Sequence, residues 1–134
     1  MTIIDGEQVA AVMKEEIAAQ VKKILRSGKR APHLTAILVG NDGASQTYVG
    51  HKEKMSAEVG FRTTVLRFDE TLTEPELLKA IDQPNKDAAA DGSIVQVPLP
   101  KHIPEERVTV APHPKKDDDG VQPANTRRLL TGTP

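Results

Sequence analysis

Three short strand-like runs alternate with segments of helical periodicity along this sequence. The runs are "LTAILV" (34–39), "RTTVLRF" (62–68) and "SIVQV" (93–97). The first and third runs are largely apolar, which is typical of a strand that is buried on both faces, and the second also reads as a strand. Strands that alternate with helices favour βαβ units. The sequence therefore predicts an α/β fold with three layers, in which helices cover both faces of a mostly parallel sheet.

Three segments carry the apolar spacing of helices. The first extends from Val9 to Leu25, and Gly28 lies where the helix should stop. The second covers about 45–59 and is closed by a glycine, and the third begins at a cap-like Thr-Glu-Pro sequence, 73–75. Beyond Pro104 the periodicity weakens, so we expect 105–134 to be irregular.

Composition narrows the classes of function. The chain has 134 residues, the size of one domain, so we expect a single domain over 1–134. Its 18 basic residues nearly balance 19 acidic ones without a basic block, which argues against nucleic acid and membrane surfaces as partners. The chain has no cysteine, and its start, "MTIIDG", lacks the features of a signal or transit peptide. A cytoplasmic protein is the expectation.

The stretch "TYVGHKEK" (47–54) contains the first candidate site residues. On a helical wheel Tyr48 and Lys52 fall in one apolar arc with Met55, whereas His51 and Lys54 fall on the polar side. Tyr48 and Lys52, four residues apart, should meet on the core-facing side. An amine among apolar groups can accept and donate a proton near neutral pH. Alternatively, the Lys52 stem covers the helix edge and leaves its amine in water, and the wheel does not decide between the two.

A second group of candidates follows the third apolar run. Gln96 interrupts that run near its carboxyl end, where ligands bind in open parallel sheets, and Pro98-Leu99-Pro100 forms a rigid wall after it. Gln96 could instead be a buried amide satisfied by the neighbouring backbone. Asp119 precedes Gly120, so it is either a turn former, a solvated charge, or an acceptor for two adjacent N–H donors of a ligand.

Other site motifs are missing from the sequence. The four histidines show no spacing of metal ligands, so no metal site is expected. There is no G-x-S-x-G, no G-x-G-x-x-G and no Walker A sequence. No site for a dinucleotide cofactor is therefore expected within this chain.

Three stretches together resemble a known family. They are "LVGNDGASQTYVGHKEK…EVGF", "DGSIVQVPLPKHI" and "HPKKDDDGVQPAN". In their order and spacing, and especially in the paired elements Y-V-x-x-K-x-K and V-Q-x-P-L-P, they resemble the N-terminal domain of the methylenetetrahydrofolate dehydrogenase/cyclohydrolase family. The resemblance covers nearly all 134 residues.

This resemblance implies a tetrahydrofolate site in a cleft between this domain and a nicotinamide-binding domain. The family oxidises 5,10-methylenetetrahydrofolate to the methenyl form with NADP or NAD, and then hydrolyses the methenyl cation to 10-formyltetrahydrofolate. Lys52 matches the general acid/base, Tyr48 the tyrosine that packs on the folate, Gln96 the glutamine that holds the lysine, and Asp119 the aspartate that reads the pterin edge. The substrate wall then consists of Val95, Pro98, Leu99 and Pro100.

The resemblance also has limits. Family members continue into a Rossmann-type cofactor domain, and this sequence ends at Pro134 before one, so we expect the chain alone to catalyse at most the hydrolysis. A homodimer is implied for the full-length enzyme. Asp118 stands where the family usually has valine and Arg127 where it has glycine, while Pro84 and Pro112 replace apolar residues. Two alternatives stay open: a degenerate, non-catalytic folate-binding or interaction module, and a structural α/β module that binds no folate.

Overall fold

The structure is a computed structural model that describes residues 5–132. Three parallel strands form one sheet in the order β2-β1-β3. The strands are β1 His33–Val39, β2 Arg62–Phe68 and β3 Gly92–Val95. The helices are α1 Gly6–Arg26, α2 Gly43–Val59, α3 Glu74–Lys86, α4 Glu105–Thr109 and α5 Pro123–Thr131.

Alternate side chains of the central strand β1 enter two different cores. Ile37 and Val39 pack with α3 and α4 residues on one face, whereas Ala36 and Leu38 pack with Val49 of α2 on the other. All four are at most 3% exposed. Successive strand side chains point to opposite faces, so a strand covered on both sides is apolar throughout. The predicted fold class, a parallel sheet with helices on both faces, is confirmed.

Helix α2 ends at the predicted Val59 and begins two residues before the predicted start, but its inward face is not the predicted one. Asp42 caps its start by accepting a hydrogen bond from Ser45 N–H at 2.7 Å. The residues that turn toward the sheet are Ser45, Val49, Lys52, Ser56 and Val59. Tyr48 is 62% exposed and Met55 49% exposed, so the prediction that Tyr48 faces the core is wrong. Small serines let the helix approach the sheet closely, and an apolar wheel does not count serines as core residues.

The predicted first helix forms, but most of its apolar stripe stays exposed. Asp5 caps α1 by accepting from the N–H groups of Glu7 and Gln8. Val21 is the buried residue of this helix, whereas Val12 is 51% exposed. The helix packs against α2, and Lys14 and Glu58 form an ion pair of 3.0 Å between them.

The chain after β3 departs from two predictions. The third strand is shorter than predicted: the Gln96 N–H still donates to Ile37 O at 2.9 Å, but the ladder ends before Pro98, which has no N–H to continue it. The segment from 105 onward, predicted to be irregular, contains α4, a 3-10 turn at Pro114–Lys116, and α5. Helix α5 has no buried residue, so its sequence lacks the apolar periodicity from which a helix could be predicted.

The third helix confirms its predicted start, and two departures from the family pattern lie in well-packed places. Thr73 donates from its N–H and its hydroxyl to the Glu76 carboxylate, as expected at a helix start. Pro84 lies inside α3 and is buried, and so is Pro112. Among the helices of residues 5–132, none combines the length and apolar composition that crossing a membrane requires.

Candidate functional site

Lys52 lies on the inward edge of α2, opposite an aspartate. Its side chain is 34% exposed, and its Nζ lies 3.9 Å from Oδ2 of Asp119. This separation exceeds that of a hydrogen bond, and neither group has a hydrogen-bond partner within the described residues. Lys54, by contrast, is exposed, as predicted. The Lys52 amine therefore points to a carboxylate rather than into open water, and both groups retain their capacity to bind a ligand.

Tyr48 lies one helical turn before Lys52, on the exposed side of the site that Lys52 and Asp119 form. Because the two residues are four apart on one helix, their side chains are neighbours. The phenol hydroxyl has no hydrogen-bond partner among residues 5–132. The ring thus offers a flat, largely exposed surface beside the amine.

Gln96 lies on the same face of the sheet as Lys52. Its backbone continues the alternation of β3, so its side chain shares the α2 face with Ile94, and Val95 takes the opposite face. The side-chain NH2 donates to Val97 O at 2.9 Å, which fixes the orientation of the amide. Its Oε1 is buried and accepts no hydrogen bond from residues 5–132. Bonding to the neighbouring backbone therefore satisfies only half of the amide.

The orphaned Gln96 oxygen is informative because a buried acceptor without a donor costs about 1–3 kcal/mol. Such groups are uncommon in folded proteins and need an explanation in function or in a missing partner. A lysine amine or a ligand N–H reaching this oxygen would remove the cost. Gln96 Oε1 is therefore an acceptor in the site that is available for a hydrogen bond from a donor outside the described residues.

The predicted substrate wall is only partly assembled by side chains. Val95 and Leu99 pack into the core on the α3 face, so their side chains do not reach the Lys52 site. The Leu99 N–H donates to Glu105 Oε1 at 3.0 Å, which holds the loop to α4. Pro98 is exposed and Pro100 half-buried. Leu99 anchors the wall, and Pro98 is the member that a ligand can touch.

Two aspartates of the acidic run, Asp117 and Asp119, have different roles, and the sequence did not reveal the role of Asp117. Asp117 accepts hydrogen bonds from the Gln122 N–H at 3.0 Å and from Asn125 Nδ2 at 2.8 Å. It thereby performs the turn-forming role that the sequence left open for Asp119. No local capping signal marked this role, because Asp117 lies six residues before Pro123, where α5 begins. Asp119 is left with an exposed carboxylate at the Lys52 site.

A nicotinamide dinucleotide does not fit the starts of α1 and α2, the two longest helices among the described residues. Such cofactors place their pyrophosphate at a glycine-rich helix N-terminus. Here the α2 N-terminus is occupied by Asp42, and the hydrogen bond from the Ser45 N–H lowers the pKa of that carboxyl. Asp5 occupies the start of α1 in the same way. A pyrophosphate would meet a negative charge at both of these helix starts. No group of three His, Asp or Glu side chains in the described part could hold a metal ion.

Comparison with known proteins agrees with this geometry. Residues 4–119 match the family model described as the catalytic domain of tetrahydrofolate dehydrogenase/cyclohydrolase. The chain belongs to this family. The bifunctional protein FolD of Porphyromonas gingivalis is 46% identical over 132 residues, and that of Flavobacterium johnsoniae 49% over 129 residues. These matches cover 98% and 96% of this chain, but 45% and 44% of the relatives.

Solved structures match as closely in fold. The bifunctional FolD enzyme of Campylobacter jejuni superposes with a TM-score of 0.95 at 37% identity, covering 99% of this chain and 47% of that one. The Trypanosoma brucei FolD, which was solved with NADP and an inhibitor, gives a TM-score of 0.89 at 32% identity, covering 96% and 43%. The chain thus spans about half the length of the relatives it matches. The resemblance inferred from the sequence is confirmed.

Proposed function

We propose that this chain supplies the folate-binding and proton-transfer part of a methylenetetrahydrofolate dehydrogenase/cyclohydrolase. The observation that carries this proposal is the placement of Lys52, 3.9 Å from Asp119, on the sheet face that also holds the unsatisfied Gln96 oxygen. The names of the relatives support it, since FolD proteins are called bifunctional.

Binding would use the two exposed groups. The Asp119 carboxylate, with 52% of its side chain exposed, accepts two hydrogen bonds from the amino and ring N–H groups of the pterin edge. The exposed ring of Tyr48 packs on the aromatic ring that follows the pterin in folates. Pro98 closes the site on the side of β3. This pose brings the bridging carbon between N5 and N10 toward Lys52.

The hydrolysis needs a group that can take a proton from water. As the water oxygen bonds to the bridging carbon of the methenyl cation, a neutral Lys52 amine accepts one water proton. The bond from that carbon to N5 then breaks as N5 takes up a proton, which leaves the formyl group on N10 and releases one proton overall. An uncharged amine avoids repulsion with the cationic substrate. The Gln96 oxygen accepts a hydrogen bond from the amine and orients it without adding a charge.

The oxidation requires a hydride acceptor. We assign NADP or NAD to a second domain of the longer enzyme, because the starts of α1 and α2, the two longest helices of residues 5–132, carry their own acidic caps. A homodimer of that longer enzyme and a cytoplasmic location belong to the same proposal. The isolated chain should then reduce no NADP when given 5,10-methylenetetrahydrofolate, and measurable NADPH formation would contradict this assignment.

Two lysines of α2 provide the decisive comparison. We expect Lys52→Met to lower the rate of methenyltetrahydrofolate hydrolysis by about 10²–10⁴-fold, the usual contribution of a general acid/base. Lys54→Met removes the same charge from the exposed side of the helix and should leave the rate within about twofold of wild type. Hydrolysis is followed by the loss of methenyl absorbance. An unchanged rate in Lys52→Met would rule out lysine catalysis.

The non-catalytic folate-binding module is the second candidate, because Asp118 places an additional carboxylate next to the pterin-reading residue. Calorimetric titration with a reduced folate, combined with the hydrolysis assay, separates the candidates. Binding without acceleration of hydrolysis would favour the binding module. Absence of both binding heat and thermal stabilisation would favour a structural module.

A further inference from the structure

One lysine ties the loop that carries Asp119 to the end of helix α3. The Lys116 amine donates hydrogen bonds to Pro84 O at 2.5 Å and to Asp87 O at 2.7 Å. Both carbonyls belong to the carboxyl end of α3, about 30 residues earlier in the chain. These contacts therefore join the loop to a helix that is distant in sequence.

The end of α3 has a need for such a donor. The last carbonyls of a helix lack an N–H partner within the helix, and the negative end of the helix dipole attracts a cation. The basic residue of the last turn of α3, Lys86, is paired instead with Asp82 at 2.5 Å. Lys116 therefore supplies from another part of the chain the cation that caps this helix end.

Lys116 is half-buried where it meets α3, in contrast to its neighbour. Within residues 5–132 its amine forms no ion pair with a carboxylate, so the two carbonyls are its partners. An ammonium that leaves water needs such hydrogen bonds, and those of a charged donor are about twice as strong as neutral ones. Lys115 is exposed, and its side-chain amine makes no hydrogen bond in the described part of the chain. The two adjacent lysines share a charge but differ in contacts.

The residue after Lys116 fastens the same loop to two other elements. The Asp117 carboxylate accepts hydrogen bonds from the Gln122 N–H at 3.0 Å and from Asn125 Nδ2 at 2.8 Å, both at the start of α5. The Asp117 backbone forms a bridge to Ser93 of β3. Two consecutive residues of the loop are therefore held by α3, by β3 and by α5.

Asp119 follows these anchors and has no anchor of its own. Its side chain is 52% exposed, and its carboxylate accepts no hydrogen bond within residues 5–132. Consecutive Cα atoms are about 3.8 Å apart, so the Cα atom of Asp119 lies within about 11 Å of that of Lys116. Hydrogen bonds from N–H groups span only about 2.7–3.2 Å between heavy atoms. A small shift of the loop at Lys116 would therefore take the carboxylate out of reach of a ligand.

We propose that Lys116 is a positioning residue that holds Asp119 opposite Lys52 and thereby sets the affinity for the pterin edge of a reduced folate. This inference rests on the proposed function, since Asp119 is taken to bind that edge. The Lys116 amine is engaged at the end of α3 and touches no folate. Its loss should therefore weaken binding through Asp119 and leave proton transfer at Lys52 intact.

Binding is measured by calorimetric titration of the 134-residue chain with 5-formyltetrahydrofolate. We expect Lys116→Met to raise the dissociation constant about tenfold, the effect of losing one charge-assisted hydrogen bond at the pterin. Lys116→Arg keeps a charged donor and should stay within about threefold of wild type. Lys115→Met removes the adjacent, exposed charge and should match wild type. Equal affinities of Lys116→Met and Lys115→Met would overturn the proposal.

A double-mutant cycle separates positioning from a general loss of structure. In an Asp119→Ala background, Lys116→Met should change the dissociation constant by less than about twofold, because the residue through which it acts is missing. A second tenfold loss in that background would contradict the proposal. In the hydrolysis assay, KM of Lys116→Met should rise about tenfold and kcat should stay within about threefold. A fall in kcat at unchanged KM would contradict it as well.

The same cycle remains decisive where Lys116→Met does not fold. If circular dichroism shows that this variant is unfolded, Lys116→Gln takes its place, since its amide can still donate to one carbonyl. We expect a smaller loss of affinity that again disappears in the Asp119→Ala background. A loss that persists there would overturn the positioning role.

Backbone dynamics separate this inference from the proposed function. In the free chain, the heteronuclear ¹⁵N–¹H NOE of the Asp119 and Gly120 amides should fall in Lys116→Met and stay at the wild-type value in Lys115→Met. If this fall is seen but neither wild type nor variant binds the folate, the proposed function fails and the positioning role stands. If both amides are as rigid in Lys116→Met as in wild type, the positioning role is wrong even where folate binds.

Discussion

Lys52 and Asp119 oppose each other across 3.9 Å, one from the middle of α2 and the other from the loop before α5. An exposed pair at this distance contributes at most about 1 kcal/mol to stability, so it is a weak reason for the fold to hold these two groups together. Neither group is hydrogen-bonded within residues 5–132, which leaves both free for a third partner. The relationship is better explained by binding than by stability.

Gln96 should matter through its neutrality. We expect Gln96→Glu to slow methenyltetrahydrofolate hydrolysis by at least about tenfold, because a carboxylate on the α2 face would hold the Lys52 amine in its charged form. The pH at which the rate reaches half its plateau should rise, and KM should change less than kcat. Gln46→Glu places the same charge on the exposed amide of α2 and serves as the control. An unchanged pH profile in Gln96→Glu would contradict the role of the amide.

Tyr48 should act through its ring rather than its hydroxyl. The hydroxyl has no partner in the described part of the chain, so Tyr48→Phe should leave the dissociation constant for a reduced folate within about twofold. Tyr48→Ala removes the stacking surface and should weaken binding by about threefold to tenfold. Because the side chain is 62% exposed, Tm should barely change in either variant. Equal losses in both variants would point to the hydroxyl instead.

The end of α2 depends on a glycine. Gly60 has φ +90°, and a Cβ placed on it would lie 3.1 Å from Val21 Cγ1. We expect Gly60→Ala to lower the free energy of unfolding by about 1–3 kcal/mol, measured by urea denaturation. Gly50→Ala is the matched control, because this glycine lies inside α2 with nothing within 4 Å of an added Cβ. It should raise stability by about 0.5–1 kcal/mol.

Asp91 should make the fold sensitive to acid. Two hydrogen bonds from Arg30, at 2.5 and 2.9 Å, are the main reason that the pKa of Asp91 is lowered. A lowered pKa stabilises the folded state above the ordinary value of 3.8, and this contribution disappears as pH falls through the lowered one. Asp91→Asn should therefore lower Tm by about 2 °C at pH 7 and have little effect near pH 2. A loss of equal size at both pH values would assign the effect to packing.

The sequence predicted the helices and strands that bury apolar side chains. The strand β2 has the predicted bounds, and α3 begins directly after its predicted cap Thr73, because strand-forming side chains and capping residues are local signals. The inward face of α2 was predicted wrongly because Ser45, which is polar but only 1% exposed, packs toward the sheet. A helical wheel that counts only apolar residues assigns Tyr48 to that face instead. Helix α5 was missed because it buries no side chain.

The site was predicted in part for a similar reason. Position made Lys52 and Gln96 candidates, one by helical angle and one by its interruption of a strand, but it left a structural role open for both, and the family resemblance is what favoured a site. The opposition of Lys52 and Asp119 was beyond the sequence, since it depends on how a loop far along the chain folds back over α2. The division of labour between Asp117 and Asp119 likewise depends on where α5 begins, which periodicity did not show.

The spacing of residues along β3 decides which face of the sheet the Gln96 amide occupies. Ile94 and Gln96 share the α2 face only because a single residue, Val95, separates them. Loss or gain of one residue in this short strand would exchange the faces, placing the amide in the α3 core and a valine beside the lysine. A frame-preserving deletion of three nucleotides could therefore silence the site while every proposed catalytic side chain remains in the sequence.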